Sequence, residues 1–389
     1  MNTTERELQP GFRRSRMTSV KGPRTRSVVT FNPTTISPGE ELYINIPKLK
    51  PDSCLVPGSL ALLFDFKNSN TKSRFNNNLS KLIANRLQIK VAGETAYDCS
   101  GESLYEIYKD LWLTVGDRNK MTEQGLASEN LGKLISGDDS GVKVGDANKL
   151  ADGLLHSVYG SKLRKQIDKI IADHGLYTPF SMNNNPMYIL TLPQSDEIMT
   201  AQGGEAKGNY KLDNLELEYE TIENDTLASE VSRMYSTGCS LSYKHVTLMR
   251  RSNLDKDLTI VNENINIPRK SMSAIVLLFT NRVRTDSEEY IYPNIDKVNL
   301  TIEGVPNAVF SQGLPKNSKF FSNGFALVID LRSTQDDTTG GGKKIVNTQS
   351  GVLLEIKKRA TTADVQCNIF VVSDALLNFA NRDLSSIQY

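Results

Sequence analysis

A chain of 389 residues with a formal net charge of +1 and 23% charged residues is long enough for two substantial cores and has no global field to recruit nucleic acid or membrane. No run approaches the ~18 apolar residues that cross a bilayer, and Met1 to Arg6 have no apolar signal core behind them, so neither a membrane span nor a secretory leader is expected. Cys54, Cys99, Cys239 and Cys367 lack CxxC spacing, which fits reduced, buried thiols of a cytosolic or nuclear protein better than a disulfide framework or a zinc site.

Residues 1–26 read as a basic arm. Within them Gly11 to Arg26 carry Arg13, Arg14, Arg16, Lys21, Arg24 and Arg26 with no acid and almost nothing apolar, a stretch that cannot bury enough surface to fold alone. From Ser27 the texture changes: Ser27 to Phe31 and Glu41 to Ile46 alternate with period two and are separated by Asn32-Pro33 and Ser37-Pro38-Gly39, the signature of two strands and their turns. An apolar run at Leu60 to Phe66 and an alternating strand at Leu87 to Val91 follow.

Between about 100 and 180 the β-texture breaks. Leu104, Ile107, Tyr108, Leu111, Trp112 and Val115 recur at helical spacing behind Ser103, and Leu163, Ile167, Ile170 and Ile171 do so behind Ser161, so two amphipathic helices are expected, with a looser helical stretch from Asp146 to Tyr159 between them. Strands resume at Met187 to Leu192 and Leu215 to Glu220. A connector with a short helical turn, Asn224 to Tyr235, leads to further strands at Leu241 to Met249, Phe325 to Asp330, Val352 to Ile356 and Val365 to Val371.

One pattern occurs twice. Ile44-Asn45-Ile46-Pro47 recurs as Ile265-Asn266-Ile267-Pro268, each copy leads to an apolar run (Leu60 to Phe64, Ala274 to Phe279), and each run leads to an alternating strand ending in glycine (Leu87 to Gly93, Val298 to Gly304). An ordered match of this length points to duplication of a whole β-domain: a first domain over 27–224 enlarged by a mostly helical insertion, and a second over 225–389. Many short alternating strands with long connections indicate Greek-key sandwiches, and hence an all-β chain of two tandem jelly rolls. Gly93 and Gly304, closing equivalent strands, are expected at positive φ.

Catalytic templates find little to build on. Gly340-Gly341-Gly342-Lys343-Lys344 lacks the first glycine of a phosphate loop and has Lys344 where the magnesium-holding hydroxyl belongs. Asp138, Asp139 and Asp146 do not follow calcium-loop spacing. His156, His174 and His245 form no HExxH box, and there is no GxSxG elbow. Glu216, Glu218 and Glu220 share one strand face as glycosidase carboxylates can, although a half-exposed strand normally looks the same. Trp112 reads as a packing anchor. No catalytic residue, cofactor, metal or small-molecule substrate is expected. The arm cations suit nonspecific phosphate contact by counterion release, docking onto acidic faces of neighbouring subunits, nuclear import, or a solvated tail.

Leu212 to Glu220, Pro268 to Val276, Tyr292-Pro293-Asn294-Ile295 and Thr301 to Asn307, with Asn85 to Glu94 and Tyr108 to Leu111 in the first half, resemble the major capsid proteins of Polinton/Maverick elements and adintovirus-like DNA viruses over roughly residues 27 to 380. The resemblance implies a double jelly roll, three chains closing into a pseudo-hexagonal capsomer that tiles an icosahedral shell, and residence in the virion capsid after synthesis in host cytoplasm. It implies as partners further copies of the chain and a penton or minor capsid protein; the arm cations themselves point to genome DNA as a further one. The stretch from about 115 to 180 is where extra exterior or intersubunit surface is expected. Two rival readings are a tandem β-sandwich that binds or cleaves carbohydrate, which needs an aromatic platform or a carboxylate cleft, and a minor capsid protein.

Overall fold

The computed structural model describes residues 23–68, 73–76, 78–114, 117, 154–155, 162–171, 176–201, 209–282, 288–307, 324–332, 341–346 and 351–389. The chain divides into two compact units, one of residues Met1–Tyr243, Thr285–Ser287 and Leu377–Ile387, the other of Lys244–Arg284, Glu288–Leu376 and Gln388–Tyr389.

The strands in chain order are β1 (Arg24–Thr30), β2 (Glu41–Asn45), β3 (Ser53–Leu55), β4 (Ala61–Asn68), β5 (Ser73–Phe75), β6 (Arg86–Val91), β7 (Glu94–Cys99), β8 (Leu154–Leu155), β9 (Leu163–Gln166), β10 (Met187–Thr191), β11 (Met199–Ala201), β12 (Tyr210–Glu223), β13 (Cys239–Leu254), β14 (Ile260–Ile265), β15 (Arg269–Asn281), β16 (Ile295–Ile302), β17 (Val305–Asn307), β18 (Ala326–Asp330), β19 (Lys343–Ile345), β20 (Val352–Lys358), β21 (Val365–Ala380) and β22 (Asp383–Gln388). One sheet runs β1-β12-β4-β8 with β3 on β12 and β9 on β4, and a four-stranded sheet runs β2-β10-β6-β7. The later strands repeat this: β13-β21-β15-β18 with β19 on β15 and β22 on β21, and β14-β20-β16-β17. A small β5-β11 sheet has no counterpart among the described strands. The four large sheets form two antiparallel sandwiches, and the duplication seen in the sequence is a duplication of topology.

Alternation explains the cores, because residues directly opposite in an antiparallel pair share a face. In the first unit Ile44, Tyr188, Ile89 and Tyr97 form one cross-strand row, and Leu42, Leu190, Leu87 and Cys99 another; all are buried. In the second unit the rows Ile275–Val371–Ile329 and Leu277–Ile369–Leu327 face a core that includes Leu254, Val298, Leu300, Leu354 and Ile356. The four cysteines are free, and Cys54, Cys99 and Cys367 are fully buried.

The two glycines occupy matching turns. Ala92 and Gly93 (φ 51° and 84°) join β6 to β7, and Glu303 and Gly304 (φ 49° and 78°) join β16 to β17. Positive φ at both central residues is the tight hairpin turn whose twist matches the flanking strands. Nothing lies within 4 Å of a Cβ placed on either glycine, so substitution is opposed by backbone conformation alone. Gly93→Val and Gly304→Val are each expected to cost roughly 1–3 kcal/mol. Thermal denaturation checks this, and an unchanged melting temperature in both variants contradicts it.

Several local expectations are corrected. Leu163–Gln166 is not helical: it pairs with Ala61–Phe64 as β9, and the following isoleucines are turned inward by Asp168, whose Oδ1 accepts the amides of Ile170 and Ile171 (both 3.1 Å). The helix expected behind Ser103 is a seven-residue helix, Glu102–Tyr108, capped at Gly101 and continued as a 3-10 turn over Lys109–Trp112; Ser103 lies inside it and its amide bonds Ala84 O (2.9 Å). The insertion is therefore not mostly helical among its described residues. Of the looser stretch 146–159 only Leu154–Leu155 is described, as a strand on β4; Val115 and the remainder lie outside the described residues. The connector after β12 is a full helix, Asp225–Thr237, with Asn224 accepting the Leu227 amide at its N-cap (2.9 Å).

Candidate functional site

The sites suggested by composition do not assemble chemistry. Among the described residues no group of three or more His, Cys, Asp or Glu is placed to hold a metal. Asp138, Asp139, Asp146, His156 and His174 lie outside the described residues. His245 is buried and stacks edge-on against Tyr389, ring centroids 4.9 Å apart. The glycine–lysine run ends in β19: the Gly342 amide donates to Ser271 Oγ (2.9 Å) and Lys343–Ile345 pair with β15. Its glycine serves a close approach of two backbones rather than a phosphate cradle. Trp112 lies in the 3-10 turn, and its side chain is outside the described residues.

The acidic face of β12 is ion-paired. Glu218 is buried, 4% exposed, and its two oxygens are taken by Arg26 Nε from β1 (2.8 Å) and Arg164 Nε from β9 (3.0 Å). Lys162 meets Glu216 at 2.7 Å. Register explains the reach: Glu218 stands opposite the small Ala61, leaving room for arginines from strands on either side. Glu216 and Glu218, neighbours on this face, are thus both engaged by cations.

Arg24 and Arg26, expected in the arm, are therefore residues of β1, which pairs with β12 from Arg24↔Ile222 to Thr30↔Glu216. The sequence signal begins only at Ser27 because Arg-Thr-Arg carries no apolar alternation, although the backbone ladder does not need it. Arg13, Arg14, Arg16 and Lys21 lie outside the described residues. Strand β1 is an edge, and Val28 and Val29 on its two faces are both exposed.

The densest electrostatics were not foreseen. Where the chain leaves the first sandwich after Trp112 and returns at Lys162, charged groups pack in a half-dry knot. Lys81 Nζ donates to both oxygens of Asp110 (2.5 and 2.6 Å), which also accepts Asn78 Nδ2 (2.9 Å). Glu102, 0% exposed, accepts the Tyr97 hydroxyl (2.7 Å) and meets Lys169 Nζ (2.9 Å). Lys169 also meets Glu106 (2.6 Å), and Lys109 meets Glu106 (3.0 Å). Burial pushes the Glu106 carboxyl up, yet Lys169, Lys109 and Lys165 outweigh it and hold it far below its ordinary range. Burial likewise depresses Lys169, but Glu102 and Glu106 raise it well above the ordinary lysine value.

Lys165 is the odd member. Its partner in β4 is Leu62, which in turn opposes Leu217, so its side chain stands on the core face of the sheet. Burial lowers it from 10.5 to about 8, with Glu102 and Glu106 opposing and Lys169 and Lys81 assisting. A lysine whose folded value is depressed costs stability in its charged form, and that cost is full below about 8 and gone above 10.5. Lys165→Met is thus expected to stabilise the protein by about 1–3 kcal/mol at neutral pH, with the difference from the parent shrinking between pH 8 and 10.5. Urea titration across that range measures it, and a destabilised variant at pH 7 would contradict the reading. Sequence reasoning missed the knot because Glu102/Glu106 and Lys165/Lys169, each four apart, look like ordinary solvated pairs; their burial depends on strand β9 arriving from sixty residues away.

No protein-family model matches the chain, and no curated protein matches it. Solved structures do. PBCV-1 VP54, in a crystal structure fitted into a cryo-EM reconstruction of the virophage Sputnik, is similar at a TM-score of 0.60 and 8% identity, over 95% of this chain and 98% of that one. The Faustovirus major capsid protein is similar at 0.56 and 7%, over 93% and 91%. The mavirus major capsid protein is similar at 0.52 and 9%, over 94% and 90%. At such identities the likeness establishes the fold: the chain is a double jelly roll through almost its whole length.

Proposed function

We propose that this chain is a major capsid protein that acts by assembly: three copies close into a capsomer whose six jelly rolls give nearly sixfold edges, and capsomers tile an icosahedral shell. The observation that carries the reading is the repeated order of the principal strands, β1-β12-β4 with β2-β10-β6-β7 and then β13-β21-β15 with β14-β20-β16-β17, in a chain similar to viral capsid proteins over nearly its whole length. A closed threefold ring of paired domains turns one subunit into a tile for flat facets. The sequence resemblance favours the Polinton/Maverick and adintovirus-like lineage, with the virion as the place of residence and a penton or minor capsid protein as a further partner.

The domain assignment proposed with it is a basic arm, a first jelly roll from Ser27 to about Asn224 and a second to the end, with Arg24 and Arg26 already engaged in β1. The remaining arm cations, Arg13, Arg14, Arg16 and Lys21, are assigned to genome phosphates. If so, affinity for DNA falls steeply with salt and the slope shrinks as these four are neutralised.

Light scattering with mass calibration and negative-stain imaging of the purified chain test the proposal. Trimers and shells are expected. A stable monomer at micromolar concentration, giving no particles under any salt or pH, sinks it. Deletion of residues 1–22, which stops short of β1, is expected to leave trimers intact and to alter shell assembly or genome retention.

A further inference from the structure

The two sandwiches serve as each other's control, and they differ at one end. In the second unit the core row Ile265–Val352–Ile302 continues to Val305 across the β16–β17 turn, yet Val305 is 67% exposed. The neighbouring outer row places Leu353 opposite Thr301, itself opposite Pro306; Leu353 is 43% exposed. Val346 is 69% exposed and is tied to the same turn, its amide donating to Glu303 Oε1 (2.9 Å), while the Glu303 amide donates to Gly351 O (2.8 Å). At the corresponding positions of the first unit, counted from the Ala92-Gly93 turn, stand Glu94 for Val305, Lys90 for Thr301 and a half-buried Met187 for Leu353. The first copy thus carries Lys90 and Glu94 beside an uncharged Ala92-Gly93 turn, and the second carries Thr301 and Val305 beside Glu303-Gly304, whose glutamate is exposed.

Beside these aliphatics lie cations. β19 runs along the start of β15, Ile345 opposite Arg269 and Lys343 opposite Met272, so Lys343 and Lys344, both exposed, adjoin Arg269 and Lys270. Arg269 lies over the Tyr389 ring (5.2 Å) and Lys270 Nζ meets Gln388 Oε1 (3.0 Å). The carboxylates nearby are Glu303, which takes the Val346 amide, and Asp374, which takes Ser271 Oγ (2.5 Å) and Lys244 (2.5 Å). Among the described residues, Lys343, Lys344, Arg269 and Lys270 thus lie along these two strands, with Glu303 the carboxylate bonded to Val346 and Asp374 the one bonded to Ser271.

We infer that this turn end of the second unit is a docking surface for an anionic lipid bilayer. Exposed aliphatic side chains at the turn, with lysines and arginine along the adjoining β19 and β15, match the chemistry of a headgroup boundary, where apolar groups enter and cations meet phosphate and carboxylate. Lysines alone are explained by protection of an edge strand, and phosphate contact alone by nucleic acid, but neither covers Val305, Val346 and Leu353; contact between copies of the chain would, and a loss of trimers or shells rather than of flotation in the valine variant assigns them to that contact instead. The inference does not depend on the capsid reading: a chain that forms shells but ignores bilayers overturns this inference alone, and one that binds bilayers without forming trimers or shells overturns the other alone.

Flotation of the full chain with phosphatidylcholine vesicles, with and without phosphatidylserine, tests it. Binding only to the phosphatidylserine vesicles is expected. Paired Val305→Ser and Val346→Ser, and separately Lys343→Gln with Lys344→Gln, are expected to lower the partition coefficient at least tenfold, at about fivefold for each lysine charge removed, with melting temperatures unchanged because all four side chains are exposed. Lys90→Ser with Glu94→Ser in the first unit is expected to leave it unaltered. Failure to float with phosphatidylserine vesicles, equal flotation of the parent and both second-unit variants, or an equal loss in the first-unit variant, overturns the assignment. So does equal binding to pure phosphatidylcholine, or a loss confined to duplex DNA binding when the lysines are changed.

Discussion

Glu102→Ala is expected to cost about 3–5 kcal/mol of folding stability, the usual penalty for breaking a buried ion pair from one side. The carboxylate is 0% exposed and holds both the Tyr97 hydroxyl on β7 and Lys169 beyond β9. Its loss leaves Lys169, partly buried, with Glu106 as its remaining anion. Glu102→Gln keeps the shape and an acceptor for Tyr97 and is expected to fall between the parent and the alanine variant. Because Trp112, the chain's one tryptophan, lies in the adjacent 3-10 turn, its fluorescence in a urea titration follows this region. A loss below about 1 kcal/mol, the range of exposed pairs, would mean that the knot is solvated. The pH dependence has a definite sign. Glu106 is depressed, so its contribution is present above the ordinary glutamate value of 4.5 and is lost as pH falls toward its folded value; Lys169 is raised, so its contribution is present below 10.5 and is lost as pH rises above that. Between those limits the pair holds in full.

Gly342→Ala is expected to cost about 1–3 kcal/mol or more, as overpacking against rigid backbone does. A Cβ there would lie 2.3 Å from Met272 O, 2.4 Å from Met272 C and 2.7 Å from Ser273 N, all main-chain atoms of β15 at a bulge, beside buried Met272 and Ser273. The three-residue edge strand β19 is the part free to give, so the expected relaxation is detachment of Lys343–Ile345 and exposure of Ile345, now 2% exposed. Gly341 has nothing within 4 Å of the same atom, and Gly341→Ala is expected to be silent. Amide exchange at Ile345 together with the melting temperature separates the two; equal behaviour of both variants would show that β19 does not pack as described.

These two results bear on different parts of what a sequence can disclose. The glycine at 342 is visible only as one of a run, and nothing local says which of the three meets a neighbour. Its role is set by a strand seventy residues earlier. Glu102 and Glu106 have the spacing of surface residues on a helix, and only the arrival of Lys165 on β9 and Lys169 just beyond it buries them.

Local physics carried much of the architecture all the same. Period-two alternation placed the strands at Glu41 to Ile46, Leu87 to Val91, Val298 to Ile302 and Val352 to Ile356, because a half-buried strand must alternate. The repeat of Ile-Asn-Ile-Pro, apolar run and glycine-ended strand disclosed two copies of one fold, and Gly93 and Gly304 were readable because a two-residue hairpin turn requires positive φ. Tertiary structure alone decided what periodicity leaves ambiguous. Leu163, Ile167, Ile170 and Ile171 have helical spacing, yet an open edge of β4 gives Leu163–Gln166 backbone partners, and Asp168 bends the rest inward, so the ladder outweighs a weak helical preference. Arg24 and Arg26 have the composition of a tail, yet β12 offers them a ladder and Glu218 a buried countercharge. In each case the deciding partner is distant along the chain and adjacent in space, and a single sequence read locally contains the first residue of such a pair without its second.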